Sequence, residues 1–244
     1  MLGIKLEAKD TINILNIIGL DFSDIENNLK EIEFKRPDNA EEEVHNRVAK
    51  TQFPYFNVNF YNFILENKRL PTQEEFFDYY IELNKFKSIK FNNSVTSILK
   101  LDDEYLEALK IRLYKRVYPS LIRDLHFNLM LQDYTLFDVN FNLYYDSFEG
   151  IDSAISGVNL RNNYGVSLYL DTKNSRGFRE KKHKYRHDYK NNEFVNIEYP
   201  IYPFGGDEGQ KINNFYLYSV KEVRELEAEI YTIEAESTNS KFGC

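Results

Sequence analysis

The stretch Tyr164–Lys173, with the sequence YGVSLYLDTK, decides the predicted fold of this 244-residue chain. Apolar residues at positions 166, 168 and 170 alternate with polar or amphipathic residues at 167, 169 and 171. This is the two-residue period of a β-strand whose two faces meet different surroundings. The stretch therefore predicts a buried strand that ends in an acid and a base, Asp171 and Lys173.

A second, shorter strand is predicted over residues 154–160, directly before this one. The residues between the two strands are Arg161-Asn162-Asn163, and asparagine tolerates the backbone angles of tight turns. The two strands therefore predict a β-hairpin. Asp152 lies just before the first strand, so a hairpin of this length can bring it near Asp171 and Lys173.

Composition limits the class of protein. The chain has 19 Tyr, 19 Phe and few Gly or Pro residues, which is typical of a folded protein. Its net charge of −8 argues against coating nucleic acid by bulk charge but leaves room for a local basic site. The single cysteine, Cys244, excludes an intrachain disulfide and a cysteine-cluster metal site. Neither an apolar run of membrane-spanning length nor a signal-peptide pattern is present, so we expect a cytoplasmic protein without membrane contact.

Residues 1–117 are predicted to form an all-helical N-terminal region for target or partner binding. Two of its helices lie between Phe56 and Leu83, and Thr72 with Glu75 has the spacing of a helix-capping box. Such a pair could be a DNA-binding helix-turn-helix. An αα-hairpin that buries its aromatic residues is the favoured interpretation, because the second helix opens with acids that phosphate would repel.

Residues 118–244 are predicted to form a second domain. A helix over residues 102–117 is followed by Pro119, which predicts a break or a new helix, and then by an amphipathic helix over 120–131. A strand over 136–145, the hairpin, a basic helix over 175–189, a strand over 195–201, a loop over 204–209, a strand over 215–220 and a helix over 221–235 follow. This order predicts the α/β class, with a mixed β-sheet flanked by helices.

Gly150-Ile151-Asp152 and Leu168-Tyr169-Leu170-Asp171-Thr172-Lys173, placed within this order of elements, resemble the PD-(D/E)XK nuclease superfamily of restriction-endonuclease-like fold. The resemblance covers about residues 118–220 and implies an αβββαβ core. It also implies that Asp152, Asp171 and Lys173 are catalytic. No proline precedes Asp152, and Asp171 stands where glutamate is commoner. The preceding helix often adds a polar residue to such a site, and Arg123, Asp124 and His126 are the candidates.

The chemistry of phosphodiester hydrolysis fits this spacing. Mg²⁺ prefers one or two carboxylates with water and phosphate oxygens, so Asp152, Asp171 and the carbonyl of Thr172 are the predicted metal ligands, with Mn²⁺ as a substitute. The metal lowers the pKa of its bound water and neutralises charge that develops on the phosphate. Lys173 follows Asp171 by two residues and shares its strand face, where its ammonium can orient the water or the phosphate.

The basic helix supplies a predicted surface for double-stranded DNA. Cations in an otherwise acidic chain can draw a polyanion to a metal site and bind its phosphates without reading sequence. The predicted DNA-binding residues are Arg176, Arg179, Lys181, Lys182, Lys184 and Arg186. His183 and His187 could hold a transition metal, but contacts to phosphate or water are the favoured interpretation.

These features together predict a Mg²⁺-dependent DNA endonuclease of restriction, phage defence or transposition. It would act as a homodimer or with a separate protein partner. No nucleotide cofactor is expected, because the Gly205–Gly209 loop lacks the end of a phosphate-binding P-loop. Two alternatives stay open: a catalytically silent nucleic-acid-binding or scaffold subunit of a larger complex, and a helical interaction protein with no nucleic-acid role.

Overall fold

The computed structural model of the chain describes residues 5–34, 48, 51–91, 94–170, 193–201 and 209–239. Its α-helices are α1 (Leu15–Ile18), α2 (Phe22–Glu31), α3 (Phe56–Asn67), α4 (Gln73–Asn84), α5 (Asp103–Arg112), α6 (Tyr118–Tyr134) and α7 (Val220–Asn239). Its strands are β1 (Ser88–Phe91), β2 (Ser94–Ser97), β3 (Asp138–Asn140), β4 (Ser153–Ser156), β5 (Asn163–Leu170), β6 (Phe194–Ile201), β7 (Gln210–Ile212) and β8 (Phe215–Leu217). A 3-10 turn at Ile98–Lys100 and π-helical turns at Leu113–Val117 and Tyr145–Glu149 complete these elements.

The strands form small sheets. The largest has the order β3-β4-β5-β6, and β1-β2 and β7-β8 are two-stranded. Within the largest sheet, β3 with β4 and β4 with β5 are antiparallel, whereas β5 and β6 are parallel. The β4–β5 pairing confirms the predicted hairpin, but its first strand ends at Ser156 and not at residue 160, so the connection is longer than predicted. The coarse prediction of a mixed α/β protein with a helical N-terminal region is confirmed as well.

The chain divides into two compact units. The helical unit comprises residues 1–8, 17–122 and 212–215, and the sheet unit comprises residues 9–16, 123–211 and 216–244. These are clusters in space. The division of the chain at residue 118 into two domains stays a prediction.

The predicted α3–α4 helical pair is confirmed, together with its cap. The Thr72 hydroxyl accepts a hydrogen bond from the Glu75 N–H, and the Glu75 carboxylate accepts one from the Thr72 N–H, so two exposed donors of α4 are satisfied reciprocally. Phe60 and Phe76 pack edge to face across the pair, with their ring centroids 5.4 Å apart. The αα-hairpin interpretation is therefore the correct one for this segment, and its aromatic residues form the core.

The N-terminal region is not all-helical, which corrects the prediction. The antiparallel hairpin β1–β2 interrupts it, with Ser88 opposite Ser97 and Phe91 opposite Ser94. The segment carries β-branched residues at 89, 95 and 96 around Asn92-Asn93, a composition that favours strands joined by a turn. The hairpin was not predicted, because the helical periodicity of the segments on both sides is stronger than these short strand signals.

Pro119 does not break the helix, although a break or a new start was predicted. Helix α5 continues through the π-helical turn Leu113–Val117 into α6. In a regular helix, the proline ring would clash with the carbonyl four residues earlier, that of Lys115. The wider π turn, in which the Tyr118 N–H bonds to the Leu113 carbonyl, lies directly before the proline and accommodates it.

Two further predictions from periodicity are corrected. Helix α6 is buried at every position from Leu121 to Leu131, so it is not amphipathic. The predicted strand over 136–145 is reduced to β3, and a helical turn begins near its end. Asn142 explains the change, because its side-chain oxygen accepts a hydrogen bond of 2.9 Å from the Tyr145 N–H and caps that turn.

Candidate functional site

Most of the predicted site lies outside the described residues. Asp171, Thr172 and Lys173 fall there, as do the six predicted DNA-binding residues and the histidines at 183 and 187. Their assignments stay predictions. The described part of the site consists of Asp152 and the α6 side chains near it.

Asp152 lies immediately before β4, and the backbone of the hairpin holds it in place. Its N–H donates to the Val166 carbonyl at 2.9 Å, and its carboxylate Oδ2 accepts from the Leu168 N–H at 2.6 Å. The side chain is half-buried. One carboxylate oxygen is therefore engaged with β5, in a short, charge-assisted contact that fixes the register of the hairpin.

Helix α6 supplies the polar neighbours of Asp152. The side chains of Arg123 and Asp124 are 7% and 12% exposed, and Arg123 Nε lies 3.6 Å from Asp124 Oδ1. The Asn128 amide donates to the Asp124 carbonyl at 2.8 Å and to the Asp152 carbonyl at 2.9 Å. A helix residue thus connects the backbones of α6 and the start of β4, and charged groups are held out of water beside that connection.

Tyr218 completes this arrangement from the segment before α7. Its hydroxyl donates to the Tyr199 carbonyl at 2.8 Å. Burial raises the pKa of Tyr218 well above its ordinary value, Arg123 lowers it, and the carboxylates of Asp124 and Asp152 raise it further. The phenol is therefore a neutral donor at physiological pH. Arg123, Asp124, Asn128, Asp152 and Tyr218 are named the polar cluster below.

His126 is buried on α6 but does not share a helix face with Asp124 and Asn128. Residues two positions apart on a helix project about 200° from one another, since each residue turns the helix by about 100°. Of the three accessory candidates, the structure therefore places Arg123 and Asp124 in the polar cluster. Asn128 and Tyr218 were not predicted from the sequence as members of the site. The spacing of four residues between Asp124 and Asn128 could have indicated the first, whereas no local signal indicated the second.

Among the described residues, the polar cluster offers few side chains that could bind a metal ion. No group of three or more His, Cys, Asp or Glu residues there is arranged to hold a metal ion. Asp124 and Asp152 are the carboxylates that the cluster offers. Because Mg²⁺ can be held by one or two carboxylates, the metal assignment stays a prediction that depends on Asp171 and Thr172. Helices long and apolar enough to cross a membrane are not found among the described residues.

Comparison with known protein families finds a similarity over part of the chain. Residues 23–124 match the family model described as ATP synthase delta (OSCP) subunit. No curated protein and no solved structure matches the chain. The match covers 102 of 244 residues (124 − 23 + 1), from α2 into the first turns of α6.

This similarity corrects several predictions. The PD-(D/E)XK assignment, the DNA endonuclease function, the hydrolase class and the association with phage defence are wrong, because the matching family is that of a subunit of ATP synthase. Double-stranded DNA is also wrong as the predicted partner, since the partners of such a subunit are other protein subunits. The motif that misled the prediction is two aspartates and a lysine at loose spacing. Over residues 23–124, this chain is similar to the ATP synthase delta (OSCP) subunit family.

Proposed function

We propose that this chain is a non-enzymatic subunit of a protein assembly and that its N-terminal region, residues 1–117, binds the partner polypeptide. The observation that carries the proposal is the similarity of residues 23–124 to a family of ATP synthase subunits. That range falls almost wholly within residues 17–122 of the helical unit. The match therefore concerns a folded body and not a scattered motif.

The packing of the helical unit suits a rigid binding platform. Tyr118 is fully buried, and its hydroxyl donates to the Pro71 carbonyl at 2.5 Å in the loop between α3 and α4. Its ring lies 6.2 Å from Phe60 and 5.9 Å from Phe215. The Phe60 ring packs edge to face with Tyr118 and the Phe215 ring is tilted against it, and such aromatic contacts bury large areas. A surface built on this core needs little reorganisation when a partner binds, which reduces the entropic cost of association.

The polar cluster of the sheet unit has a structural role in this proposal. Asp152 Oδ2 bonds to the backbone of β5, and the Asn128 amide connects two main-chain carbonyls. These bonds are made within the protein and orient α6, β4 and β5. The polar cluster therefore fixes the packing of these elements through its hydrogen bonds to the main chain.

The proposal is tested in the cells that encode the chain. A copy with an affinity tag replaces the native chain, and the extract is separated by size and analysed by mass spectrometry. We expect the chain to elute in an assembly well above its own 29.1 kDa, with partner subunits at constant stoichiometry. ATP synthase is the first assembly to examine, by purifying it through another of its subunits. Elution of all the chain at the mass of the free protein would contradict the proposal.

Magnesium binding at Asp152, Asp171 and Thr172 stays a separate prediction, independent of phosphodiester cleavage. Titration calorimetry with MgCl₂ measures it directly on the purified chain. We expect heat of binding that Asp152→Asn removes, because the amide lacks the negative charge that a hard cation requires. Equal heats for the two proteins would exclude Asp152 as a ligand.

A further inference from the structure

Residues 85–100, named the cationic hairpin here, differ in charge from the rest of the chain. The segment contains four lysines, at 85, 87, 90 and 100, and no acidic residue, so its charge is +4. The remaining residues therefore sum to −12 (−8 − 4). Lys85 is paired with Glu82 at 2.7 Å, but among the described residues no carboxylate forms an ion pair with Lys87, Lys90 or Lys100. Those three side chains are exposed.

The same segment exposes large apolar side chains between its lysines. Phe86 is 75% exposed, Val95 is 74% exposed and Leu99 is 62% exposed. Phe86 and Leu99 lie at the base of the hairpin, where the Leu99 N–H donates to the Lys85 carbonyl at 3.0 Å. Single exposed apolar residues are ordinary, but three on one short segment, bordered by polar residues, are typical of an interaction surface.

The backbone of β2 offers a third feature. The Lys90 carbonyl accepts a hydrogen bond of 3.1 Å from the Gln52 N–H, so it points away from β2. Lys90 is opposite Val95, and partners in an antiparallel ladder alternate between bonded and non-bonded pairs. The N–H and carbonyl of Val95 therefore also point away from β1, toward the outer edge of β2. In the described part of the chain no other strand pairs with that edge.

We propose that the outer edge of β2 receives an extended segment of the partner subunit in which acidic and apolar residues alternate. The inference rests on the proposed function, which supplies the partner, and specifies where and how it binds. The exposed backbone groups of Val95 add the segment as a further strand, the mode called β-augmentation. Lys90 is opposite Val95 and shares its face of the hairpin, so the acids of the segment lie on that face, within reach of Lys90. The apolar side chains of the segment lie on the other face, that of Ile89 and Thr96. Lys87 and Lys100 add positive charge at the base of the hairpin.

A protein segment explains the three features better than a membrane surface does. Lysines and exposed aromatic residues would also suit anionic lipid. Lipid cannot, however, satisfy an outward-facing backbone N–H and carbonyl in the regular spacing of a strand, whereas an extended peptide does. The edge geometry at Val95 therefore favours a polypeptide.

The test uses the purified full chain and a fluorescein-labelled synthetic peptide of alternating glutamate and valine, with binding followed by fluorescence anisotropy. A peptide of alternating lysine and valine is the matched control ligand. Val95→Pro removes the outward N–H and leaves the β1–β2 ladder bonds intact, because that N–H does not face β1. Lys87→Glu with Lys90→Glu reverses the charge, and Lys211→Glu, an exposed lysine of the sheet unit, is the control for charge alone.

We expect the acidic peptide to bind and the basic peptide not to bind. Val95→Pro and the double charge reversal should each weaken binding about tenfold or more, and added salt should weaken it as well. Lys211→Glu should change it less than about twofold. Unchanged binding in both hairpin variants would overturn the inference. So would binding to phosphatidylserine vesicles with no binding to the acidic peptide.

The proposed function is separated from this inference by repeating the extract experiment with the hairpin variants. If both variants stay in the assembly that contains the native chain, the cationic hairpin is not the partner site and the proposed function stands. If the native chain itself elutes alone, the proposed function fails, whatever the peptide shows. Thermal unfolding of each variant, expected within a few degrees of the native chain, excludes loss of fold as the cause.

Discussion

The Asn128 side-chain amide donates a hydrogen bond of 2.9 Å to the main-chain carbonyl of Asp152. Its other hydrogen goes to the carbonyl of Asp124, one turn earlier on the same helix, at 2.8 Å. Asn128 is completely buried, and in the described part of the chain its amide oxygen has no hydrogen-bond partner. The two bonds that Asn128 donates are thus its described side-chain hydrogen bonds in the polar cluster.

Asn128→Ala should lower the free energy of unfolding by about 2 kcal/mol, because it removes both bonds and leaves the partly buried Asp152 carbonyl without this donor. Urea denaturation followed by circular dichroism measures the change. Gln132→Ala, on an exposed position of the same helix, is the matched control and should stay within about 0.5 kcal/mol. Equal effects at the two positions would show that the bond to Asp152 contributes nothing.

Elements with strong local signals could be predicted from the sequence. The cap at Thr72, the strand β5 and the helix α7 were each predicted from residues close together in the chain, and the structure has all three. The burial of Arg123 and Asp124 could not be predicted, since apolar residues and these polar ones share the same helix. Their neighbour Tyr218 is almost a hundred residues away, and only the folded sheet unit brings them together.

The function was mispredicted for a related reason. Two aspartates and a lysine at loose spacing are an unspecific motif, which many unrelated proteins contain. The predicted order of strands around them was taken as support for a nuclease fold, although the residues themselves did not indicate that chemistry. By contrast, the helical region gave few functional signals, yet residues 23–124 are the part that matches a known family. Helical cores are built from apolar residues whose pattern specifies packing and says little about partners.

Tyr164→Phe should destabilise the sheet unit by about 2 kcal/mol. The Tyr164 hydroxyl donates to Glu234 Oε1 at 2.7 Å, and Asn162 donates to the same oxygen from its backbone at 3.1 Å. A buried hydrogen bond to a carboxylate contributes more than a neutral one, about 1.5–3 kcal/mol. Urea denaturation at neutral pH is the measurement. Tyr231→Phe is the control and should be close to neutral, because Tyr231 is 39% exposed.

The Glu234 contact should also make stability depend on pH. Burial raises the pKa of Glu234, but the bonds from Tyr164 and from the Arg161 and Asn162 backbone lower it more, so the net pKa is below the ordinary 4.5. A lowered pKa in the folded state means that the stabilisation is complete above pH 4.5 and is lost as the pH falls.

Burial and Glu234 raise the pKa of Tyr164 to about 12, so the contribution of Tyr164 to stability is lost between pH 10 and 12. Tyr164→Phe should flatten the alkaline loss, and an unchanged alkaline profile would contradict this assignment.

Thr72→Ala should lower the free energy of unfolding by about 1 kcal/mol, because the cap of α4 loses its acceptor. Thr72→Ser keeps the hydroxyl and should recover most of this loss, which separates capping from packing.

Arg69 bonds to the Glu75 carboxylate and is the main reason that the pKa of Glu75 falls to about 2. That pair is substantially exposed, so Arg69→Met should cost less than about 1 kcal/mol. A larger effect for Arg69→Met than for Thr72→Ala would reverse this ranking.

Gly209→Ala should be among the most damaging single substitutions in the sheet unit. Gly209 has a φ of +69°, and a Cβ atom there would lie 2.5 Å from the Leu217 carbonyl oxygen and would also clash with the Ile201 side chain. The left-handed backbone alone costs about 1–2 kcal/mol for a residue with a Cβ atom, and the contact with a backbone oxygen cannot be relieved by a rotamer change. Gly209 N–H also donates to Glu222 Oε1 at 2.8 Å, at the start of α7, so a shift of the backbone would weaken that contact too.

Gly157→Ala is the matched control, because its Cβ would meet no atom closer than 3.7 Å and its φ is not in the left-handed region. Thermal unfolding should show a fall of several degrees for Gly209→Ala and almost none for Gly157→Ala, and similar values for the two would mean that Gly209 is not constrained by Leu217 and Ile201.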